Sequence, residues 1–132
     1  MINIDSRSSI PIYEQIIVRI KELIIKGLLS PGDKLPSVRE LSSIITANPN
    51  TVSKAYKELE REKVIETLRG KGTFVSLNYM PQIQEDKVNM LKDDLKRLVL
   101  EAKYMGLSKE DIVSIMCNFY DDLEDKKDKK DK

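Results

Sequence analysis

This chain of 132 residues contains no histidine, no tryptophan and a single cysteine. The absence of histidine excludes imidazole acid–base catalysis and zinc sites built from cysteine and histidine, and one cysteine cannot form a disulfide within the chain. The length gives room for one small domain and an extension, not for a large catalytic core. We therefore expect no enzyme, no metal site and no cofactor.

The sequence also lacks a long apolar run and a signal-peptide pattern, so it predicts a cytoplasmic protein without a membrane partner. Cys117 lies on an apolar helical pattern, which favours a small core residue over a nucleophile or a redox sensor.

Positive and negative charges are nearly balanced, with a formal net charge of +1, but they are unevenly distributed. Residues 1–76 carry 12 Lys/Arg against 9 Asp/Glu, whereas residues 77–132 carry 11 against 13. A basic surplus this small is a weak signal for nucleic acid, so the placement of the cations matters more than their number.

The segment 35–56 predicts two short helices joined by a tight turn. Ser37 stands at an N-cap position and Glu40 follows three residues later, so each side chain can satisfy a free amide at the helix start. Three apolar residues then recur at helical spacing: Leu41, Ile44 and Ile45. Asn48-Pro49 provides a second N-cap followed by proline at the first helical position. This arrangement is typical of a helix-turn-helix.

The second helix of this pair has two different faces at about 100° per residue. The apolar stripe consists of Val52, Ala55, Tyr56 and Leu59. The opposite face, called here the recognition face, consists of Asn50, Ser53, Lys54, Lys57 and Arg61. Short amides and hydroxyls can approach base edges in a major groove, and lysine and arginine can reach phosphates. The alternative is an amphipathic helix with a solvated polar face.

After Lys63 the pattern predicts a β-hairpin. Segments 64–68 and 72–76 are rich in β-branched and apolar residues, and they flank Arg69-Gly70-Lys71-Gly72. The glycines permit positive φ, and the two cations stand where a phosphate or a narrow minor groove would attract them. Alone, such glycines would serve only the turn and such cations would be solvated. Directly after a recognition-type helix, the hairpin predicts a winged helix-turn-helix.

Earlier segments are predicted to support this domain. A first helix carries an apolar stripe made of Tyr13, Ile16, Ile17, Ile20 and Leu23 or Ile24, and it ends at Gly27. Lys34-Leu35 is expected to form a short strand beside the wing, and Ile2 and Ile4 to pack against the domain.

Four motifs between Pro11 and Ser76 resemble the GntR family of bacterial transcription regulators. They are PIYEQI, GLLSPGDKLPSVREL, NPNTVSKAYKELEREKVIE and RGKGTFV. NPNTVSKAY together with a short helical tail is similar to the YtrA-like subfamily. The resemblance implies DNA-contacting positions at Arg39, Asn50, Thr51, Ser53, Lys71 and Gly72. Pro49 and Ser53 stand where relatives with full-size effector domains typically carry arginine, so the base contacts of those relatives do not carry over. Thr46 stands where relatives usually carry a turn glycine.

Residues 78–124 predict a separate module of two helices. Asn78-Tyr79-Met80-Pro81 breaks the last strand, and a long helix begins at about Gln82. Its apolar residues, called here the seam, alternate at spacings of three and four: Val88, Leu91, Leu95, Leu98, Ala102 and Met105. Gly106 closes the helix and Ser108, with Asp111 at N3, caps the next. The second stripe consists of Ile112, Ile115, Met116, Phe119 and Leu123.

Two helices of this length cannot bury both stripes fully against each other, so they need a partner. The same pair from a second subunit would complete a small antiparallel or crossed helical bundle. The alternative is that the helices fold back onto their own winged domain. Residues 125–132 are charged and predict a flexible solvated tail.

The predicted fold is mainly α with a small β wing. It comprises a winged helix-turn-helix at 1–77, a two-helix dimerisation module at 78–124 and a charged tail at 125–132. We expect a sequence-specific regulator that binds a pseudo-palindromic double-stranded DNA operator as a homodimer. The family resemblance implies repression, for instance of a transporter operon; no effector ligand can be named. The rival interpretations are a non-specific architectural DNA-binder and a winged-helix protein-interaction module.

Overall fold

In a computed structural model, which describes the backbone of residues 2–130 and the side chains of residues 2–124, the chain folds into five helices and one three-stranded antiparallel sheet. The helices are α1 (Ile12–Ile25), α2 (Val38–Ile45), α3 (Pro49–Arg61), α4 (Glu85–Tyr104) and α5 (Lys109–Lys130). The strands are β1 (Lys34–Leu35), β2 (Ile65–Leu68) and β3 (Gly72–Val75). The predicted fold class, mainly α with a small β wing, is confirmed.

The chain divides into two compact units, a first unit that extends through Tyr79 and a second unit from Met80 to Asp125. In the first unit the apolar sides of α1, α2 and α3 and the inner face of the sheet form one core. Its buried apolar side chains are Ile16, Ile20, Leu23, Leu29, Leu35, Leu41, Val52, Ala55, Tyr56, Leu59, Val64, Ile65 and Val75. The predicted apolar stripes of α1 and α3 are therefore confirmed, and Ile2 and Ile4 pack against this core as expected.

Of the three apolar residues that recur along α2, Ile44 lies outside the core, since it is 67% exposed. The buried side of α2 is centred on Leu41 and Ser42 rather than on Leu41 and Ile44. The Ser42 hydroxyl donates a hydrogen bond to the carbonyl of Ala47. A polar residue with a local backbone partner can thus be buried at low cost, and hydrophobic spacing alone could not show this.

The sheet follows the order β1-β3-β2 and is antiparallel throughout. The predicted hairpin and the predicted strand at Lys34–Leu35 are both confirmed, although β2 and β3 are each one residue shorter at the end away from the turn. The amide of Lys71 donates to the carbonyl of Leu68 at 2.9 Å and closes the turn. Gly70 has a φ of 78° at the third turn position, which a type II turn requires.

In the second unit, α4 begins at Glu85 rather than at the predicted Gln82. Acidic residues at 85 and 86 occupy its first turn, where the helix dipole favours negative charge. The helix ends at Tyr104, so Met105 is a C-cap residue and not part of the helical seam. Gly106 follows with a φ of 94°. No helix of the described residues is long and apolar enough to span a membrane.

In the second unit most large apolar side chains of α4 and α5 are exposed within the described part of the chain. Of the seam only Ala102 is buried. Cys117 is exposed in the single chain, and the prediction of a core residue there is wrong for this reason. The flexible tail predicted at 125–132 falls on residues whose side chains lie outside the described part, while the helical backbone of α5 continues to Lys130.

Candidate nucleic-acid interface

Local hydrogen bonds fix the turn between α2 and α3. Ser37 and Glu40 form the predicted capping box at the start of α2, with bonds of 3.1 and 3.2 Å. Thr46 ends α2 in the left-handed conformation, with φ and ψ both 54°. The side chain of Asn48 then accepts from the amide of Asn50 at 2.8 Å and starts α3. The polypeptide therefore enters α3 in a defined direction, with Pro49 at its first position.

Tyr56 anchors α3 to the segment that joins β1 to α2. Its hydroxyl donates to the carbonyl of Pro36 at 2.6 Å while its ring lies in the core. Burial, with a smaller contribution from the charge of Glu40, raises the pKa of Tyr56 to about 12. The phenol consequently stays protonated and keeps donating at any physiological pH.

The side of α3 opposite the core forms a shallow concavity. Six side chains line it: Asn50, Ser53, Lys54, Lys57, Glu58 and Arg61. All five residues of the predicted recognition face are therefore brought together, and Glu58 is an acidic member that the sequence analysis did not include. Thr51 is half-buried beside this face, and Arg39 is exposed in the first turn of α2.

Two predicted cations of the recognition face already have partners within the protein. The ammonium of Lys54 lies 3.9 Å from the ring centroid of Tyr13 on α1. The guanidinium of Arg61 binds both carboxylate oxygens of Glu58, with Nε at 3.1 Å from Oε2. Lys57, by contrast, makes no ion pair with any described residue.

Tyr13 itself lies among acidic groups. Its hydroxyl donates to Glu14 Oε1 at 3.3 Å. The negative charge of Glu14 is the largest of the effects that raise the pKa of Tyr13. A neutral phenol ring facing Lys54 is thus maintained, and it presents a π face that attracts the lysine cation.

At the wing tip, Arg69 and Lys71 are exposed and Gly72 adopts a φ of 121°. A Cβ on Gly72 would lie 2.9 Å from Cε of Lys34, so the lysine stem occupies the space that a side chain at position 72 would need. Lys34 was not among the predicted site residues. The signal that could have indicated it is the predicted pairing of its strand with the wing.

All ten predicted DNA-binding residues lie in the first unit, in three groups: the start of α2, the exposed face of α3 and the tip of the wing. The described part of the chain contains no cluster of side chains suited to hold a metal ion.

Comparisons with known proteins agree with this architecture. Residues 12–75 match the family of bacterial regulatory proteins called the gntR family. The chain is 63% identical over 110 residues to the HTH-type transcriptional repressor YtrA of Bacillus subtilis (strain 168), an overlap that covers 83% of this chain and 85% of that protein.

Two solved structures extend the comparison. A transcriptional antiterminator from Listeria monocytogenes EGD-e is 42% identical with a TM-score of 0.84, over 93% of this chain and 92% of that one. The AraR DNA-binding domain in complex with operator ORX1 is 28% identical with a TM-score of 0.50, over 55% of this chain and 90% of that one. This chain belongs to the gntR family of bacterial regulatory proteins, and it is a DNA-binding transcriptional regulator with a winged helix-turn-helix rather than an enzyme.

Proposed function

We propose that the protein is a transcriptional repressor that binds a pseudo-palindromic operator as a homodimer. The observation that carries the proposal is the exposed face of α3, where short polar and cationic side chains share one concavity. The name of the Bacillus subtilis relative, a repressor, supports the direction of regulation. Such a protein would act on chromosomal DNA, and hence in the cytoplasm.

In this proposal the recognition face contacts bases near the start of α3 and a phosphate further along the helix. Asn50 and Ser53 lie one turn apart near the helix start, where a recognition helix approaches base edges. An asparagine can bind adenine with two hydrogen bonds, and a serine hydroxyl can bind several bases. Lys57 lies one turn further along and is exposed without an ion-pair partner, which suits a phosphate contact.

The homodimer is supported by the second unit. In the single chain Leu95 is 39% exposed, Leu98 50% and Phe119 67%. Most members of both apolar stripes are therefore uncovered within the described residues. Exposed apolar surface of this extent marks an interaction site.

The apolar surface of α5 is also too broad for one neighbouring helix. Viewed down the helix axis at 100° per residue, Ile115 and Val113 mark the two edges of the apolar surface and Ile112 lies between them. The arc from one edge to the other is about 160°. Both halves of that arc are exposed, one at Ile115 and Phe119 and the other at Val113 and Tyr120. A crossed bundle with a second copy would cover both halves at once and would carry two recognition helices to two half-sites.

The assignment of base contacts and phosphate contacts along α3 is tested with two single variants. We expect Asn50→Ala to weaken binding to the operator by about 1–3 kcal/mol and to leave binding to random duplex almost unchanged, because it removes base contacts. Lys57→Ala removes a phosphate contact and should weaken both. The measurement is a titration of each variant with an operator recovered by selection from a randomised duplex library. Equal losses on both duplexes for Asn50→Ala would contradict the proposal.

The same titrations separate the rival functions. An architectural protein would bind every duplex with equal affinity and a protein-interaction module would bind none, whereas a repressor binds one sequence preferentially at physiological salt. A footprint on the region upstream of the gene would then identify the operator. A neighbouring operon, such as a transporter operon, is the proposed target.

A further inference from the structure

Lys34 lies beside the backbone of the wing, although it belongs to an earlier part of the sequence. In β1 it pairs with Phe74 of β3, and Gly72 lies two residues from Phe74 on the same face of that strand. Atoms Cε and Nζ of Lys34 lie 2.9 and 3.6 Å from the position that a Cβ of Gly72 would occupy. The lysine side chain therefore extends diagonally along β3 and ends beside the wing tip.

The charges around Lys34 leave its ammonium available. It is exposed and makes no ion pair with a described residue. Hydrogen bonds from Ser37 are the main cause of the lowered pKa of Glu40, and the positive charge of Lys34 adds a smaller effect, so Glu40 is close enough to interact but not paired. Glu66 lies on the same sheet face but across β3, about 10 Å away at two strand spacings.

Lys34 also lies between two sets of residues that are expected to contact DNA from the family resemblance, one at the wing tip and one at the start of α2. Towards the wing it reaches Gly72, next to Lys71. Along the chain, Pro36 separates β1 from the start of α2, where Arg39 is exposed. The bond from Tyr56 to Pro36 fixes this segment to α3, so the placement of Lys34 is coupled to that of the recognition helix.

We propose that Lys34 is a DNA-contacting residue that binds a backbone phosphate beside the wing, where its stem passes over the bare Cα of Gly72. The proposal rests on the DNA-binding function argued above. It adds a third cation to Arg69 and Lys71 on the wing side of the interface, and this cation comes from a strand that precedes the helix-turn-helix in sequence.

The test uses Lys34→Met, which keeps the apolar stem over Gly72 and removes the charge. Binding is titrated over a range of salt concentrations on the selected operator and on a mixed-sequence duplex. We expect the slope of log K against log salt to fall by about 0.9, the value for one phosphate, with equal loss on both duplexes. Lys34→Arg should restore the wild-type slope. Lys21→Met is the matched control, because Lys21 pairs with Glu62 at 3.2 Å and its loss should leave the slope unchanged.

An unchanged slope for Lys34→Met, or a loss confined to the operator, would overturn the phosphate contact. Failure of the wild type to bind any duplex would instead overturn the proposed function itself, so the two failures are distinguishable.

Discussion

Glu58 is the acidic side chain among those that line the concavity of α3. A carboxylate facing a DNA backbone is unfavourable unless a cation neutralises it, and here Arg61 binds both of its oxygens. The pair is exposed, so it contributes little to stability. We expect the ion pair to affect DNA binding instead, because Arg61 cannot contact a phosphate while it is paired with Glu58.

We therefore expect Glu58→Gln to raise affinity for random duplex and to steepen the salt slope by about one unit, since Arg61 is released for a phosphate. Operator affinity should rise less, and the ratio of specific to random binding should fall. Glu60→Gln is the matched control, because Glu60 is exposed on α3 but does not line the concavity. Indistinguishable titrations for the two variants would rule out this role.

At the level of residues, the sequence identified the members of the site but not their partners. Asn50, Ser53 and Lys57 stand on one face because helical geometry alone requires it. The contact of Lys54 with Tyr13 depends on how α1 crosses α3, and the proximity of Lys34 to Gly72 depends on strand register. Both are tertiary relations between distant segments, which spacing within one segment does not encode.

At the level of elements, each helix of the DNA-binding pair starts with a side-chain cap. These caps were predicted from sequence because the bonds span only two or three residues. Ser108 and Asp111 repeat the reciprocal arrangement at α5, at 2.9 and 3.1 Å. Local chemistry of this kind accounts for the accurate starts of α2, α3 and α5. The start of α4 was predicted three residues early, and its N-cap Gln84 makes no side-chain cap bond.

The capping box of α2 makes stability depend on pH. Hydrogen bonds from Ser37 hold the pKa of Glu40 below its ordinary value, so the contribution is present above the ordinary carboxyl pKa and is lost as pH falls through the lower pKa of the folded protein. We expect Ser37→Ala to lower the free energy of unfolding by about 1 kcal/mol at neutral pH, as for other N-caps. Urea unfolding at neutral and acidic pH checks this.

In the same experiment Glu40→Ala, which removes the carboxylate that accepts from the amide of Ser37, should be less stable than the wild type at neutral pH by a margin that shrinks in acid. Ser43→Ala serves as the control, because Ser43 is exposed within α2 and caps nothing in the described structure. A difference that grows as the pH falls would show that Glu40 does not contribute through its charged form.

At the scale of the whole molecule, the apolar surface of the second unit decides the state of assembly. Leu95 and Leu98 lie mid-seam on α4, so Leu95→Asp with Leu98→Asp would place two carboxylates in the proposed interface, each costing several kcal/mol. We expect sedimentation to show a dimeric wild type and a monomeric double variant. Operator affinity should fall by about 10²–10⁴, because the second half-site no longer benefits from effective concentration.

The control for that experiment is Met90→Asp with Leu100→Asp. Both residues are exposed on α4 but lie away from the seam at 100° per residue. This variant should remain dimeric and the helical signal of the first unit should survive in both. A monomeric wild type at micromolar concentration would contradict the proposed homodimer with two recognition helices. A Leu95→Asp, Leu98→Asp variant that keeps full operator affinity would contradict it as well.

The pairing of β1 with β3 has a consequence for synthesis of the protein. Leu35 bonds to a strand that contains Thr73, so α2 and α3 lie inside a loop of chain that this pairing closes. During translation, a nascent chain that has emerged only to Arg61 holds its recognition helix without a wing and with β1 unpaired. The winged domain is therefore completed only when β3 has left the ribosome. A chain that stops before Phe74 lacks the strand that pairs with both β1 and β2.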